Sequence, residues 1–128
     1  MFVAVGRLSF HLSGVSSLKG KRSVVRKMVE KARARFNVAI AEVESNDEHR
    51  KAVIGVGVIG NSSNHVDSVL SKVCNFIIRM GLAEVVSHRT EVIALDDNFG
   101  DDQFFSNLND KYSDSNGFSD DDLEEFDE

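Results

Sequence analysis

The chain has 128 residues, a single cysteine and a formal net charge of −6, which suits one domain with a short extension. One cysteine excludes an internal disulfide and any C-x-x-C zinc or redox site. No run of about 18 apolar residues is present, so no bilayer-spanning segment is expected. Arg7 and His11 interrupt the apolar N-terminal stretch, so no signal peptide is expected either, and the chain is predicted to be cytoplasmic.

The charge is distributed unevenly along the chain. Residues 1–95 hold 14 Lys and Arg against 8 Asp and Glu, a balance of +6, whereas residues 96–128 hold one Lys against 13 Asp and Glu, a balance of −12. The second segment shows no sustained hydrophobic period. The sequence therefore predicts a folded basic domain over 1–95, followed by an acidic tail over 96–128 that does not fold alone.

The hydrophobic pattern of the domain alternates between strand and helix periods. Residues 2–12 alternate apolar and polar positions over eleven residues, which predicts a half-buried strand. Residues 18–36 instead place apolar side chains at helical spacing. Further strands are predicted over 37–44, 51–60 and 84–95, and a second helix follows 61–64 and ends near Gly81. The order β-α-β-β-α-β predicts an α+β, ferredoxin-like sandwich, a four-stranded antiparallel sheet with two helices on one face.

The third strand contains a glycine pattern that matches a cofactor motif. Gly55, Gly57 and Gly60 spell G-x-G-x-x-G, the fingerprint of a dinucleotide-binding turn. Val56 and Val58 continue the strand alternation through these glycines, and no acidic residue ends a strand roughly 20 residues later. We therefore interpret the stretch as a central strand with small residues where a neighbour packs closely, and expect no cofactor.

The outer face of the two central strands is the surface on which one class of proteins with this fold binds RNA. RNA-recognition motifs of this fold stack bases on aromatic side chains there. In this chain the predicted outer positions are Val5, Arg7, Ser9, Val53, Gly55, Gly57 and Ile59. None of them is aromatic, so base stacking on the sheet is not expected. A partly apolar open face favours a homodimer instead.

The first helix is strongly basic. Its predicted phosphate-binding residues are Lys19, Lys21, Arg22, Arg26, Lys27, Lys31, Arg33 and Arg35, against one acid, Glu30. Steps of 3, 4 and 7 residues place several of these cations on one helix face. An ordinary solvated helix would mix charge signs. The imbalance therefore favours a polyanion-binding surface that contacts nucleic-acid phosphates.

Several segments resemble one known family. "SLKGKRSVVRKM", "RFNVAIAEVE", "AVIGVGVIGN" and "HVDSVLSKV" are similar to the YlxP-like family, small bacterial proteins that carry the domain of unknown function 503. The resemblance covers residues 1–95. It implies a ferredoxin-like fold, homo-oligomers, and genes often found beside translation-initiation and ribosome-maturation factors, with no settled biochemical activity. Taken with the basic helix, the resemblance predicts a non-enzymatic, RNA- or ribosome-associated factor.

Other reactive residue types form no recognised site. The histidines lack metal-ligand spacing apart from a weak His65-x-Asp67 pair, so no metal is expected. Glu42 and Glu44 are predicted to share one strand face, but no nucleophile accompanies them, so they indicate an edge strand with charged ends rather than catalysis. No catalytic residue is predicted, and Cys74 is expected to be an apolar filler.

The acidic tail leaves three interpretations open. It can be solubilising, it can cover the basic helix and compete with nucleic acid, or it can dock a protein partner. Two other functions are also compatible with the sequence. One is a small-molecule-binding regulatory or catalytic module that uses the sheet face or a dimer seam, and the other is a structural dimer that recruits a protein through its tail.

Overall fold

The computed structural model describes residues 1–45 and 47–96, and Met1–Leu95 form one compact unit. The elements in chain order are β1 (Phe2–His11), α1 (Leu18–Arg35), β2 (Ala39–Glu44), β3 (Lys51–Gly60), α2 (Ser63–Arg79) and β4 (Glu84–Ala94). The strands form an antiparallel sheet in the order β2-β3-β1-β4. The predicted ferredoxin-like α+β fold is thus confirmed. The acidic tail lies outside the described residues, apart from Asp96.

Local capping chemistry explains where the helices begin and end. The Ser17 side chain accepts a hydrogen bond from the main-chain N–H of Gly20, and Ser62 accepts one from His65. Each bond satisfies a donor that the first helical turn leaves unpaired. Gly81 follows the last residues of α2 with φ +65°, a left-handed conformation that glycine adopts without a Cβ clash and that stops the helix.

The core lies between the sheet and the two helices. Its largest apolar side chains are Leu8 and Phe10 of β1, Ile54 of β3, Met28 of α1 and Leu70 of α2, all at most 1% exposed. Burying each such side chain contributes about 1.5–3 kcal/mol. Because strand side chains alternate, the residues between these positions point to the opposite, outer face of the sheet.

The glycine stretch of β3 is part of a regular strand. A Cβ on Gly55 would lie 2.8 Å from Cγ1 of Val43, and one on Gly60 would lie 2.8 Å from Cγ1 of Val66. A side chain at either position would therefore require the neighbouring valine to shift, because these valines pack closely against the glycine backbone. The interpretation of this stretch as a strand with close neighbours is confirmed.

The final strand differs from the others in its burial. In β4 ten of the eleven residues are exposed and one is intermediate, whereas β1 and β3 each have five buried and only two exposed residues among ten. No helix in the described part of the chain is long and apolar enough to cross a membrane.

Candidate polyanion-binding surface

Helix α1 separates its side chains into a buried stripe and a basic face. The stripe consists of Lys21, Val25, Met28 and Ala32. We call the basic face the set of its exposed cations: Lys19, Arg22, Arg26, Lys27, Lys31, Arg33 and Arg35. Seven of the eight residues predicted to bind phosphate are thus accessible on one helix.

The basic face lacks neutralising partners in the described residues. The two ion pairs of this part of the chain are Arg7–Glu44 and Lys21–Glu42, and neither involves the basic face. Glu30, the one acid of α1, is exposed and forms no ion pair within the same described residues. Because the cations lie in water without carboxylate partners, they are available to an external polyanion.

Lys21 is a correction to the predicted set. Its side chain is fully buried, and Nζ lies 2.9 Å from Oε2 of Glu42 in β2. That contact is ionic but lacks the geometry of a hydrogen bond. Nζ instead donates to the main-chain oxygens of Ser45 at 2.5 Å and Lys51 at 3.3 Å. Lys21 therefore anchors α1 to the β2–β3 turn and cannot contact a phosphate in the folded protein.

Two arginines of the basic face are held in place by neutral partners. Arg33 donates to the carbonyl oxygen of Ile40 in β2 at 2.9 Å. The Arg35 guanidinium lies 5.8 Å from the ring centroid of Phe36 and 5.1 Å from that of Phe76. Carbonyl and ring contacts leave the positive charges uncompensated, so both arginines are positioned without being neutralised.

The aromatic pair also marks an extension of the basic surface that helical spacing in the sequence did not reveal. The Phe36 and Phe76 rings meet edge to face, with centroids 5.5 Å apart. Beside them a shallow depression of about 370 Å³ is lined by Arg35, Phe36, Lys72, Asn75, Phe76 and Arg79. Lys72 and Arg79 belong to α2, so only the packing of α2 beside α1 brings their charges to this surface.

A second basic region lies on the outer face of the sheet. A half-open cavity of about 440 Å³ is lined by Arg7, Ser9, Phe10, His11, Glu48, Arg50, Lys51, Val86 and Ser87. Ser9 and Ser87 are direct partners across the β1–β4 ladder, as are His11 and Lys51 across β1–β3. The cavity therefore combines hydroxyl groups and cations, which bind phosphates and carboxylates, with one carboxylate, that of Glu48.

Arg7 also forms an ion pair across the outer face. Gly55, its partner in β3, has no side chain, and the Arg7 guanidinium lies 2.6 Å from Oε2 of Glu44 in β2. The hydrogen bond from Arg7, and then its positive charge, lower the pKa of Glu44, and the charge of Lys51 lowers it further. Glu44 is therefore ionised at neutral pH and compensates Arg7, whereas Arg50 and Lys51 form no ion pair within the described residues.

The prediction that Glu42 and Glu44 share one strand face is wrong. The β2–β3 register shifts between these two residues because of a bulge. An extra residue in a strand reverses the side-chain alternation beyond it. Glu42 consequently pairs with Lys21 of α1, and Glu44 pairs with Arg7 on the outer face. The two carboxylates serve separate ion pairs and do not form an acid–base pair.

The remaining reactive groups of the described residues form no reaction centre. Burial raises the pKa of the Cys74 thiol to about 11, so it is protonated at neutral pH. No group of three or more His, Cys, Asp or Glu in residues 1–45 and 47–96 is arranged to hold a metal ion. The outer positions of β1 and β3 carry no Phe, Tyr or Trp, and their one aromatic ring is the imidazole of His11 at the end of β1, so these two strands offer no row of aromatic side chains for base stacking.

Comparisons with known proteins support the resemblance drawn from the residues. The model of a family described as a protein of unknown function, DUF503, matches residues 3–90. The uncharacterized protein YlxP of Bacillus subtilis (strain 168) is 29% identical over 75 residues, which cover 59% of this chain and 82% of that protein. The resemblance to the YlxP-like family is confirmed.

Two solved structures are distantly similar to the chain. A NIPSNAP family protein from Agrobacterium tumefaciens has a TM-score of 0.41 and 13% identity, covering 77% of this chain and 96% of that one. A mutant of SnoaB, a cofactor-independent oxygenase from Streptomyces nogalater, has a TM-score of 0.37 and 9% identity, covering 77% of this chain and 95% of that one. Such low TM-scores carry no argument about function.

Proposed function

Because the chain belongs to the DUF503 family of proteins of unknown function, we propose a function from its geometry: it is a non-enzymatic RNA- or ribosome-associated factor of the cytoplasm that binds phosphate backbones through the basic face of α1. The observation that carries this proposal is the lack of any ion pair to the seven exposed cations of α1 among the described residues.

The dimensions and charge of α1 support backbone binding. At 1.5 Å per residue, the cations from Lys19 to Arg33 extend over roughly 21 Å, enough to follow several consecutive phosphates. Each phosphate that is neutralised releases condensed counterions, which makes affinity strong at low salt and largely independent of sequence. Since the outer positions of β1 and β3 carry no Phe, Tyr or Trp, we expect little base specificity.

The acidic tail supplies a competitor within the same chain in this proposal. Residues 97–128 lie outside the described residues, and their contribution is argued from charge alone: the segment 96–128 carries −12 against +6 for residues 1–95. A tether of this length gives an effective concentration near the millimolar range. Even weak contacts with the basic face therefore compete with RNA.

Sedimentation with ribosomes, with and without residues 96–128, tests this function. We expect the full chain to sediment at about 50 mM salt and to be released at about 300 mM, because backbone binding weakens steeply with salt. Removing the tail should tighten binding at the lower salt. Failure of both forms to sediment at low salt would contradict the proposed function, and equal affinities would contradict only the competing role of the tail.

The outer-face cavity supports a second candidate function, the binding of a small phosphate-bearing ligand. Its Arg50 and Lys51 cations are unpaired within the described residues, and serine hydroxyls from two strands lie beside them. Its volume of about 440 Å³ falls in the range of small-molecule sites.

A thermal-shift experiment without RNA tests this second candidate. A mononucleotide at 100 times its Kd should stabilise the protein by about 2.7 kcal/mol, and Arg50→Ala should abolish the shift. Arg79→Ala, which removes an exposed arginine away from the cavity, is the matched control and should leave the shift unchanged. No shift with a mononucleotide or with inorganic phosphate at millimolar concentration would exclude this function.

A further inference from the structure

Strand β4 presents a long edge that the described residues leave uncovered. It is the last strand in the sheet order, so one edge pairs with β1 and the other has no neighbouring strand in the described part of the chain. Apolar side chains are exposed along it: Val86 is 68% exposed, Ile93 is 41% exposed and Val92 is 38% exposed. An edge of this length and composition is a template for pairing with another strand.

The opposite edge of the sheet is protected against such pairing. Strand β2 is shorter, with six residues, and a bulge between Glu42 and Glu44 interrupts its register. Glu44, whose side chain is 55% exposed, brings charge to the edge, and the side chain of Arg33 donates to the carbonyl oxygen of Ile40. Bulges, charges and short length are the usual means of blocking an edge strand. Strand β4 has a single bulge near its start, and Ser87–Ala94 pair regularly with β1.

We infer that β4 is an interface for a second copy of this chain. The two β4 strands pair antiparallel about a two-fold axis that passes through Thr90 and lies perpendicular to the sheet. Their main-chain groups then form a ladder over residues 87–93. The result is a continuous eight-stranded antiparallel sheet with an isologous interface. This inference is independent of the proposed function.

The geometry of an antiparallel ladder restricts the register to a few choices. Opposing residues must point their side chains to the same face of the sheet, and they must present their main-chain groups to the same edge. When two copies of one strand pair, the two residues that face each other are therefore both even-numbered or both odd-numbered. The symmetric registers are consequently those in which one residue faces its own copy.

Charge selects one register from this set. With Thr90 at the axis, Arg89 of each copy lies opposite Glu91 of the other, on the outer face of the sheet. With Arg89 at the axis, two arginines face each other, and with Glu91 at the axis, two carboxylates do. Opposite charges across a ladder are stabilising, and like charges directly opposite are destabilising. Neither Arg89 nor Glu91 has an ion pair within the described residues of a single copy, so both are available to the second.

The paired arrangement places all helices on one side of the joined sheet. A two-fold axis perpendicular to a sheet leaves both helical layers on the same face. Because α1 contacts β2, the strand farthest from β4, the two basic faces lie at opposite ends of the dimer. The pairing also brings Val86 and Ile93 against main chain and side chains of the second copy, which removes apolar area from water.

Charge-reversal variants of the full chain, measured by sedimentation equilibrium, test this interface. Wild type should dimerise. Arg89→Glu places carboxylates opposite each other in two symmetric pairs, so its dimer Kd should rise about tenfold or more. Glu91→Arg should have the same effect, because it places two pairs of arginines opposite each other. Circular dichroism should show that all variants stay folded, since both side chains are exposed.

Two rescue measurements are specific to the register. The double variant Arg89→Glu/Glu91→Arg exchanges the charges and should restore the wild-type Kd. An equimolar mixture of the two single variants should form a heterodimer, because every carboxylate of one chain then faces an arginine of the other. Ile59→Lys is the control on the open sheet face, where this side chain is 72% exposed, and it should leave the Kd unchanged.

Three outcomes would overturn the inference. The first is a wild-type chain that stays monomeric at about 100 µM. The second is a dimer insensitive to both single reversals, or one that the double variant and the mixture fail to restore. The third is dissociation by Ile59→Lys alone, which would assign the interface to the open face of the sheet.

Discussion

Reversing two charges on α1, with Arg22→Glu and Arg26→Glu, is expected to lower the affinity for single-stranded RNA about a hundredfold at 50 mM salt. Both side chains are exposed and have no ion pair within the described residues. Removing one phosphate-binding cation reduces the slope of log K against log salt by about 0.7, so removing two reduces it by about 1.4. The two introduced carboxylates add repulsion. Fluorescence anisotropy over a salt series measures both the affinity and the slope.

A matched variant separates local binding from overall charge. Arg50→Glu/Lys51→Glu produces the same change in net charge, but its two residues line the cavity on the outer face of the sheet. We expect this variant to retain RNA affinity within about threefold, since screening limits the reach of exposed charges to about 10 Å at 0.1 M salt. Equal reductions in both variants would show that RNA responds to net charge rather than to the basic face of α1.

Replacing Lys21 by methionine is expected to destabilise the fold by about 3 kcal/mol. The substitution leaves Glu42, whose side chain is only 18% exposed, without its counter-charge. It also removes the donor to the main-chain oxygens of Ser45 and Lys51. Breaking a buried pair by removing one partner typically costs 3–5 kcal/mol, and the partial exposure of Glu42 favours the lower end. Urea unfolding measures the loss of stability as a shift in midpoint.

The double variant Lys21→Met/Glu42→Leu provides the control for this result. With both charges replaced by apolar groups, the loss of stability should fall to about 1–2 kcal/mol, because no unpaired charge remains although the main-chain oxygens of Ser45 and Lys51 still lack their donor. Lys21→Met should also leave RNA affinity within about twofold under conditions where the variant is folded. A loss of RNA affinity like that of the α1 reversals, with little loss of stability, would place Lys21 at the surface and contradict its buried position.

The sequence alone was sufficient for the elements and their order. Alternation of apolar and polar residues over 2–12 predicts β1. Helical spacing predicts the two helices, Ser17 marks the start of the first, and Gly81 marks the end of the second. Side-chain periodicity and capping hydrogen bonds involve only residues that are close together in the chain. They can therefore be predicted from the sequence before the tertiary structure is known. The right-handed connection rule then restricts β-α-β-β-α-β to a few sheet orders, one of which is the observed β2-β3-β1-β4.

The sequence predicted only part of the residue set that forms the candidate site. Seven of the eight predicted cations are exposed, but Lys21 is not. A signal for this exception was present, because Lys21 occurs at the helical spacing of Val25, Met28 and Ala32, on the stripe that faces the sheet. Its role still depends on Glu42 in another element, which helical spacing cannot identify.

Tertiary structure decided the features that require contacts between distant segments. The bulge in β2 places Glu42 and Glu44 on opposite faces of the sheet. The packing of α2 beside α1 places Phe76 next to Arg35. The exposed face and edge of β4 result from its position at the end of the sheet. The local periodicity of the sequence indicates whether a side chain is buried, but it does not identify the residue that the side chain contacts. The charge of each surface was therefore determined by the sequence, whereas its availability to a polyanion or to a second copy was determined by the packing of elements far apart in the chain.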